Sequence, residues 1–180
     1  MTNSKLTIQD LTYSALFAAL ISSVAYLAIP IPFSPVPITL QSLVVMLAGA
    51  TLTTKQAGLS MLIFLLVGIS GAPVFSSGRA GIGVFAGPSG GYLIAYPLGA
   101  IIINLLAKKD SYYQTALAMI LGGLVIIHLL GVLWMGFVTE MGLAEAFISG
   151  SLPFIPGDLI KVVAAVPLSI KINNSLAGRR

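Results

Sequence analysis

Cysteine is absent from the 180 residues, charged residues make up only 8%, and histidine and tryptophan occur once each. Without thiols there are no disulfides and no thiolate metal centres. The single histidine, His128 in LVIIHLLGV, has no acidic or cysteine partner at ligand spacing along the chain. Its expected role is a neutral ring bonded to a neighbouring carbonyl, and neither a metal nor a cofactor is expected. No two of the five acidic residues form a paired-carboxylate site, and no serine has an evident base. The segment GPSGGY, ending at Tyr92, lacks the following Gly-Lys-Ser/Thr of a P-loop, and no strand precedes it. An enzyme is not expected, and neither is ATP hydrolysis by this chain.

What the chain does have is apolar surface. Hydrophobic residues form 57% of it and the mean hydropathy is +1.03, whereas roughly a quarter of a soluble domain is charged. The expected class is an all-α integral membrane protein in which residues 1–180 form one transmembrane substrate-binding domain. At about 20 apolar residues per crossing, the length admits about six short helices. The net charge of +4 comes from basic residues placed singly or in pairs at the ends of apolar segments. They mark topology and do not make a nucleic-acid surface.

The first expected span is Leu11–Ile29, too long for the apolar core of a cleaved leader. Pro30, Pro32, Pro35 and Pro37 then forbid helix and turn the chain. Ile38–Leu52 and Ala57–Ile69 are short apolar segments that read either as two spans or as one re-entrant hairpin. A hairpin would put Lys55 inside the bilayer, which favours two spans. Gly91–Ala107, Thr115–Phe137 and Pro156–Ile172 are the remaining three, the last opening on a proline suited to a first helical turn. The expected architecture is a compact bundle of six transmembrane helices with long glycine- and proline-rich extracellular loops. With six crossings, Lys5, Lys55, Lys108, Lys109, Lys171, Arg179 and Arg180 share one side, which the positive-inside rule makes cytoplasmic together with both termini.

Gly71–Tyr92, GAPVFSSGRAGIGVFAGPSGGY, is too rich in glycine for a long helix and too apolar for a solvated loop. Such backbone near a membrane must be buried in protein or line a cavity, so it is expected to be the wall or lid of a site. Asp158 and Lys161 lie at i, i+3 on one helix face, about a turn below its outer end. They either neutralise each other or open onto a small ligand offering both a donor and an acceptor. Arg79 either folds inward over an anionic group or faces solvent. Gln41 and Thr39 near the outer mouth, and less so Asn104 near the inner end, are polar candidates that could also serve helix packing. Tyr92 is placed where the lid closes. Two small-residue stacks run along the first helix, Ser14, Ala18 and Ser22 beside Ala15, Ala19 and Ser23. They form a smooth ridge for close helix approach, within this bundle or against another membrane subunit.

Three segments, PVPITLQ at Pro35–Gln41, the run from Gly71 to Ala100, and PGDLIKVVAA at Pro156–Ala165, resemble the signature segments of the BioY family, the biotin-specific S components of energy-coupling factor (ECF) transporters. The resemblance covers nearly the whole chain and departs at Ser89, where the family usually has threonine in GPTGGY. It implies that biotin is the ligand. Asp158 would take ureido N–H groups and Lys161 a polar end of biotin, with Arg79 a second candidate for the carboxylate. Gln41, Tyr92 and Ser89 would support them, and Phe33, Phe75 and Phe85 would be apolar lid contacts. It also implies a transmembrane coupling subunit (T component) docking at Ala15-x-x-x-Ala19 and the ridge around it, two cytoplasmic ATPases, and a bacterial plasma membrane. The alternative reading is a stand-alone carrier or channel that uses Asp158 and Lys161 as pathway residues.

Overall fold

The structure is a computed structural model that describes residues 6–108 and 110–177. Of the residues that mark sidedness, Lys5, Lys109, Arg179 and Arg180 lie outside it. The chain is mostly helical. Helix α1, Ile8–Ser23, starts from a capping box in which the Thr7 hydroxyl accepts from the Asp10 N–H and the Asp10 carboxylate accepts from the Thr7 N–H. A 3₁₀ turn at Val24–Tyr26 extends it. It does not reach Ile29 as hydropathy alone suggested. Pro30 biases the residue before it to extended geometry, and Ala28–Ile29 (β1) instead pairs antiparallel with Ile38–Thr39 (β2). The four prolines occupy the loop of this hairpin.

Helix α2, Gln41–Thr51, is shorter than the apolar run containing it because Ile38 and Thr39 belong to β2. Its eleven residues rise only about 16 Å, and all but Leu43 are buried. It is a central strut surrounded by protein. Helix α3, Thr54–Ile69, begins at once from a second capping box made by Thr53 and Gln56. The sharp break before it would leave carbonyls unpaired. Asn104 repairs this, its Nδ2 donating to the carbonyls of Gly49 (3.0 Å) and Leu52 (2.6 Å).

Within Gly71–Tyr92 the backbone makes a tight turn in which Phe75 pairs with Arg79 and Ser77 adopts φ 62°. A one-turn helix α4, Gly83–Ala86, follows. Helix α5, Gly90–Leu106, then starts within the glycine-rich run, so Tyr92 stands in its first turn and not on the cover itself. Helix α6, Tyr112–Met119, passes through a π-helical stretch, Ile120–Ile126, into α7, Ile127–Thr139. Together these form one apolar helix of 28 residues. Helix α8, Leu143–Gly150, meets α9, Ile155–Ala177, at a bend of 51°. Among the described residues, Ile8–Tyr26 and Tyr112–Thr139 are long and apolar enough to cross a bilayer, and the bent α8–α9 pair makes a third if taken as one span.

Two apolar clusters share α2. One centres on Phe64, Phe75, Met61 and Tyr96, between α1, α3 and α5. The other, with Met46, Ile103, Met119 and Val166, joins α2 to α5, α6 and α9. Cross-element bonds collect the starts of α1 and α6, the α2–α3 break and the end of α5 at one end. Gln56 Nε2 donates to Asp10 Oδ1 (2.8 Å) and the Thr115 hydroxyl to the Lys108 carbonyl (2.8 Å). Asn173 Nδ2 brings the end of α9 to the same place by donating to the Ala50 carbonyl (3.0 Å). The hairpin, the glycine-rich segment and α8 lie at the other end.

Candidate ligand-binding site

Pro156 suits the first turn of α9, and on the turns that follow Asp158 and Lys161 are buried, 4% and 9% exposed. Lys161 Nζ donates three bonds, to Asp158 Oδ1 (2.7 Å), Ser42 Oγ (2.9 Å) and the Thr39 carbonyl (2.7 Å). That exhausts its donors. Asp158 Oδ1 also accepts from the Ser42 hydroxyl (3.1 Å), and Oδ2 lies 2.7 Å from His128 Nε2. Four elements, β2, α2, α7 and α9, therefore meet in one charged network. The pair is neither alone nor sealed: burying both charges is tolerable because each has further hydrogen-bonding partners. Of the roughly four acceptor positions of the carboxylate, the one left on Oδ2 has no partner among the described residues.

The network lines a cavity of about 50 Å³, measured as space open to the centre of a water molecule, enough for a few waters. Val36, Pro37, Leu93, Ile127 and Phe154 give it apolar walls, and Gln41, Ser89, Tyr92, Tyr96 and His128 give it polar or aromatic ones. Three of the supporting residues expected from sequence, Gln41, Ser89 and Tyr92, come together here with Asp158 and Lys161. Gln41 uses its NH₂ on the carbonyls of Ile21 (3.3 Å) and Val74 (3.1 Å), tying the glycine-rich segment to α1. Tyr92 donates its hydroxyl to the Gly150 carbonyl, tying the start of α5 to the end of α8. Arg79 is half-buried and does not itself line the cavity, but it donates to Ser89 Oγ (2.8 Å) and the Ser76 carbonyl (3.2 Å), two residues that do.

The three phenylalanines expected as lid contacts do not line the cavity. Phe33 is 67% exposed in the hairpin loop, because the prolines carry that loop outward. Phe75 is fully buried beneath the glycine-rich segment, edge-on to Phe64 and Phe85, so those rings hold the wall from behind. The ridge on α1 also divides. Ser14 and Ala18 are buried, with the Ser14 hydroxyl donating to the Gln56 carbonyl of α3 (3.2 Å), and Ser22 is half-buried. Ser14 thus serves this bundle. Ala15 and Ala19 are exposed and, together with Ala18 and Ser22, border an apolar groove that includes Ile63, Val67 and Pro73.

His128, Ser42, Tyr96 and Phe154 were missed. His128 has the Asp158 carboxylate as its partner in place of the expected carbonyl, since spacing along one helix says nothing about a residue on another. Charge inside a span was the signal that found Asp158 and Lys161. A serine or histidine on an apolar helix gives a much weaker one.

Residues 1–178 match the model of the BioY family. The chain belongs to the BioY family. Members similar to it include a Bacillus subtilis protein named probable biotin transporter BioY, 42% identical over 172 residues that cover 93% of this chain and 92% of that one. A Rhizobium etli protein named biotin transporter BioY is 39% identical over 170 residues, 89% and 90% of the two chains. The fold of this chain is also similar to the crystal structure of the S-component for biotin from an ECF-type ABC transporter. The TM-score is 0.87 at 34% identity, covering 94% of this chain and 95% of the other. The family suggested by the three signature segments is thus the family that the chain belongs to, and the protein is a membrane protein.

Proposed function

We propose that this chain captures biotin from outside the cell and delivers it across the plasma membrane as the substrate-specificity subunit of an ATP-driven ECF transporter. The observation that carries this reading is the Asp158–Lys161 network opening into the cavity of a BioY-family chain. A ureido ring offers N–H donors beside a carbonyl, which suits a carboxylate with an acceptor position to spare and an adjacent ammonium. Asp158 takes a ureido N–H, and Lys161 takes either the ureido oxygen or the carboxylate. Arg79 is the second partner for the carboxylate, reached through movement of the wall it shares with Ser89. Gln41, Ser89 and Tyr92 shape the site. Phe75 and Phe85 act through packing, and Phe33 at the hairpin tip acts only if the loop folds inward.

The whole chain acts as one substrate-binding membrane domain with six crossings, α1, β2 with α2, α3, α5, α6–α7 and α9. The short α2 is acceptable because irregular backbone at membrane depth is surrounded by protein. The end holding Lys55, Lys108 and Lys171 is cytoplasmic by the positive-inside rule, with both termini there and the hairpin, the glycine-rich segment and α8 outside. Ala15 and Ala19, exposed beside the groove, form the contact with a transmembrane coupling subunit, which two cytoplasmic ATPases drive.

Titration of the purified chain with biotin tests the reading. The parent binds, and Asp158→Ala weakens binding by about 100-fold or more, since a buried hydrogen-bonding partner is lost and Lys161 is left unpaired. Equal affinity in parent and variant would refute the site. Uptake by this chain alone into liposomes under an ion gradient would instead support a stand-alone carrier.

A further inference from the structure

We infer that His128 is a positioning residue: it donates from Nε2 to Asp158 Oδ2 and so fixes which acceptor position of the carboxylate is left for the ligand. The identity of the ligand rests on the biotin reading above, but the geometry does not. A carboxylate only accepts, so the 2.7 Å contact requires the ring proton on Nε2. Nδ1 is buried and has no partner among the described residues. The ring therefore makes a single hydrogen bond, to Asp158. A histidine kept only for packing would leave a buried polar atom unsatisfied without return, where an apolar side chain of similar size would not. Tyr92 and Phe154 hold the ring in place from two sides, each with its ring centre 6.1 Å away.

The helix carrying His128 is built to aim it. The buried positions along Tyr112–Thr139 run 115, 118, 119, 122, 123, then 127, 128, 131, 132, 135 and 136. Each pair of buried positions lies four residues beyond the last, except the step from 122 and 123 to 127 and 128, which is five. That step falls in the π-helical stretch Ile120–Ile126. One extra residue there rotates everything after it by roughly 100°, and such wide turns are common at functional sites. In an uninterrupted α-helix the inward stripe would continue through 126, and His128 would be turned aside. Gly122 and Gly123 let α5 and α2 pack closely against this stretch, since a Cβ on Gly122 would lie 2.6 Å from the Gly99 carbonyl and one on Gly123 would lie 2.7 Å from Met46.

Two conservative variants separate the bond from the packing. Gln places its amide nitrogen as far along the side chain as Nε2, whereas Asn places it at the position of Nδ1. Biotin affinity of purified His128→Gln is expected within about fivefold of the parent. His128→Asn is expected to bind on the order of 10- to 100-fold more weakly, the cost of losing one hydrogen bond to a charged group. Equal affinities in the two variants, or tighter binding by the Asn variant, would overturn the inference. The chain has one histidine, so ¹⁵N-histidine labelling gives a single ring to observe by NMR without any ligand. Its proton is expected on Nε2 with Nδ1 bare, and a proton on Nδ1 would also overturn the assignment. If the parent fails to bind biotin, the proposed function falls, and this spectrum alone decides the positioning role.

Discussion

At the residue scale the site is a problem of buried charge. Removing one member of a buried pair leaves the other uncompensated, which typically destabilises by about 3–5 kcal/mol, while removing both is often nearly neutral. Lys161→Met is therefore expected to lower the thermal stability of the detergent-solubilised protein more than the double variant Lys161→Met/Asp158→Asn does. A double variant less stable than the single one would mean that the network is held together by something other than this pair. These two residues were legible in the sequence because ionisable side chains are rare within spans. Their neighbours were not. Ser42 and His128 reach Asp158 from α2 and α7, 116 and 30 residues away in sequence, and nothing in either segment points to that meeting.

At the scale of elements, the boundaries of α5 and α6–α7 and the start of α9 follow the apolar runs closely, because each is flanked by charge or by turn residues, whereas α9 continues past Lys171 and Ile172 to Ala177. The ends of α1 and α2 did not follow theirs. Hydropathy measures how long a chain stays apolar, and β1, β2 and the helices beside them are equally apolar. The phase shift inside α6–α7 was equally invisible, since a π turn changes no residue type. Asn104 illustrates a third kind of element-scale role. It read as an inner-end polar residue ranked below Gln41, and it serves the α2–α3 break, where it satisfies two carbonyls and accepts from the Thr54 hydroxyl. Asn104→Ala leaves those groups unpaired and is expected to destabilise by about 1–3 kcal/mol, read as a lower midpoint of thermal unfolding with biotin affinity of the folded protein unchanged. Loss of affinity at unchanged stability would contradict that role.

At the scale of the whole molecule, the absence of cysteine that excluded disulfides makes sidedness directly measurable. Glu145 lies in the first turn of α8 and Lys55 in that of α3, at opposite ends of the bundle. A membrane-impermeant maleimide added to intact cells is expected to label Glu145→Cys, and to label Lys55→Cys only after permeabilisation. The reverse pattern would invert the topology. The mostly helical membrane class was readable because hydropathy is a property of the string. The interior was not, because helices of 11 and 16 residues meeting at a sharp break obey packing more than hydropathy.

The Ser42 hydroxyl already gives one hydrogen to Asp158 and takes one from Lys161. In the resting protein it imitates the face that a cyclic urea would present. A solute arriving here is weighed against that internal substitute. A molecule offering only a lone pair must displace a contact of Lys161 to be bound there, whereas one with a donor beside its acceptor can also use the open position on Asp158 Oδ2. Discrimination between solutes can thus arise from what the site's own residues already exchange, as well as from what the visitor brings.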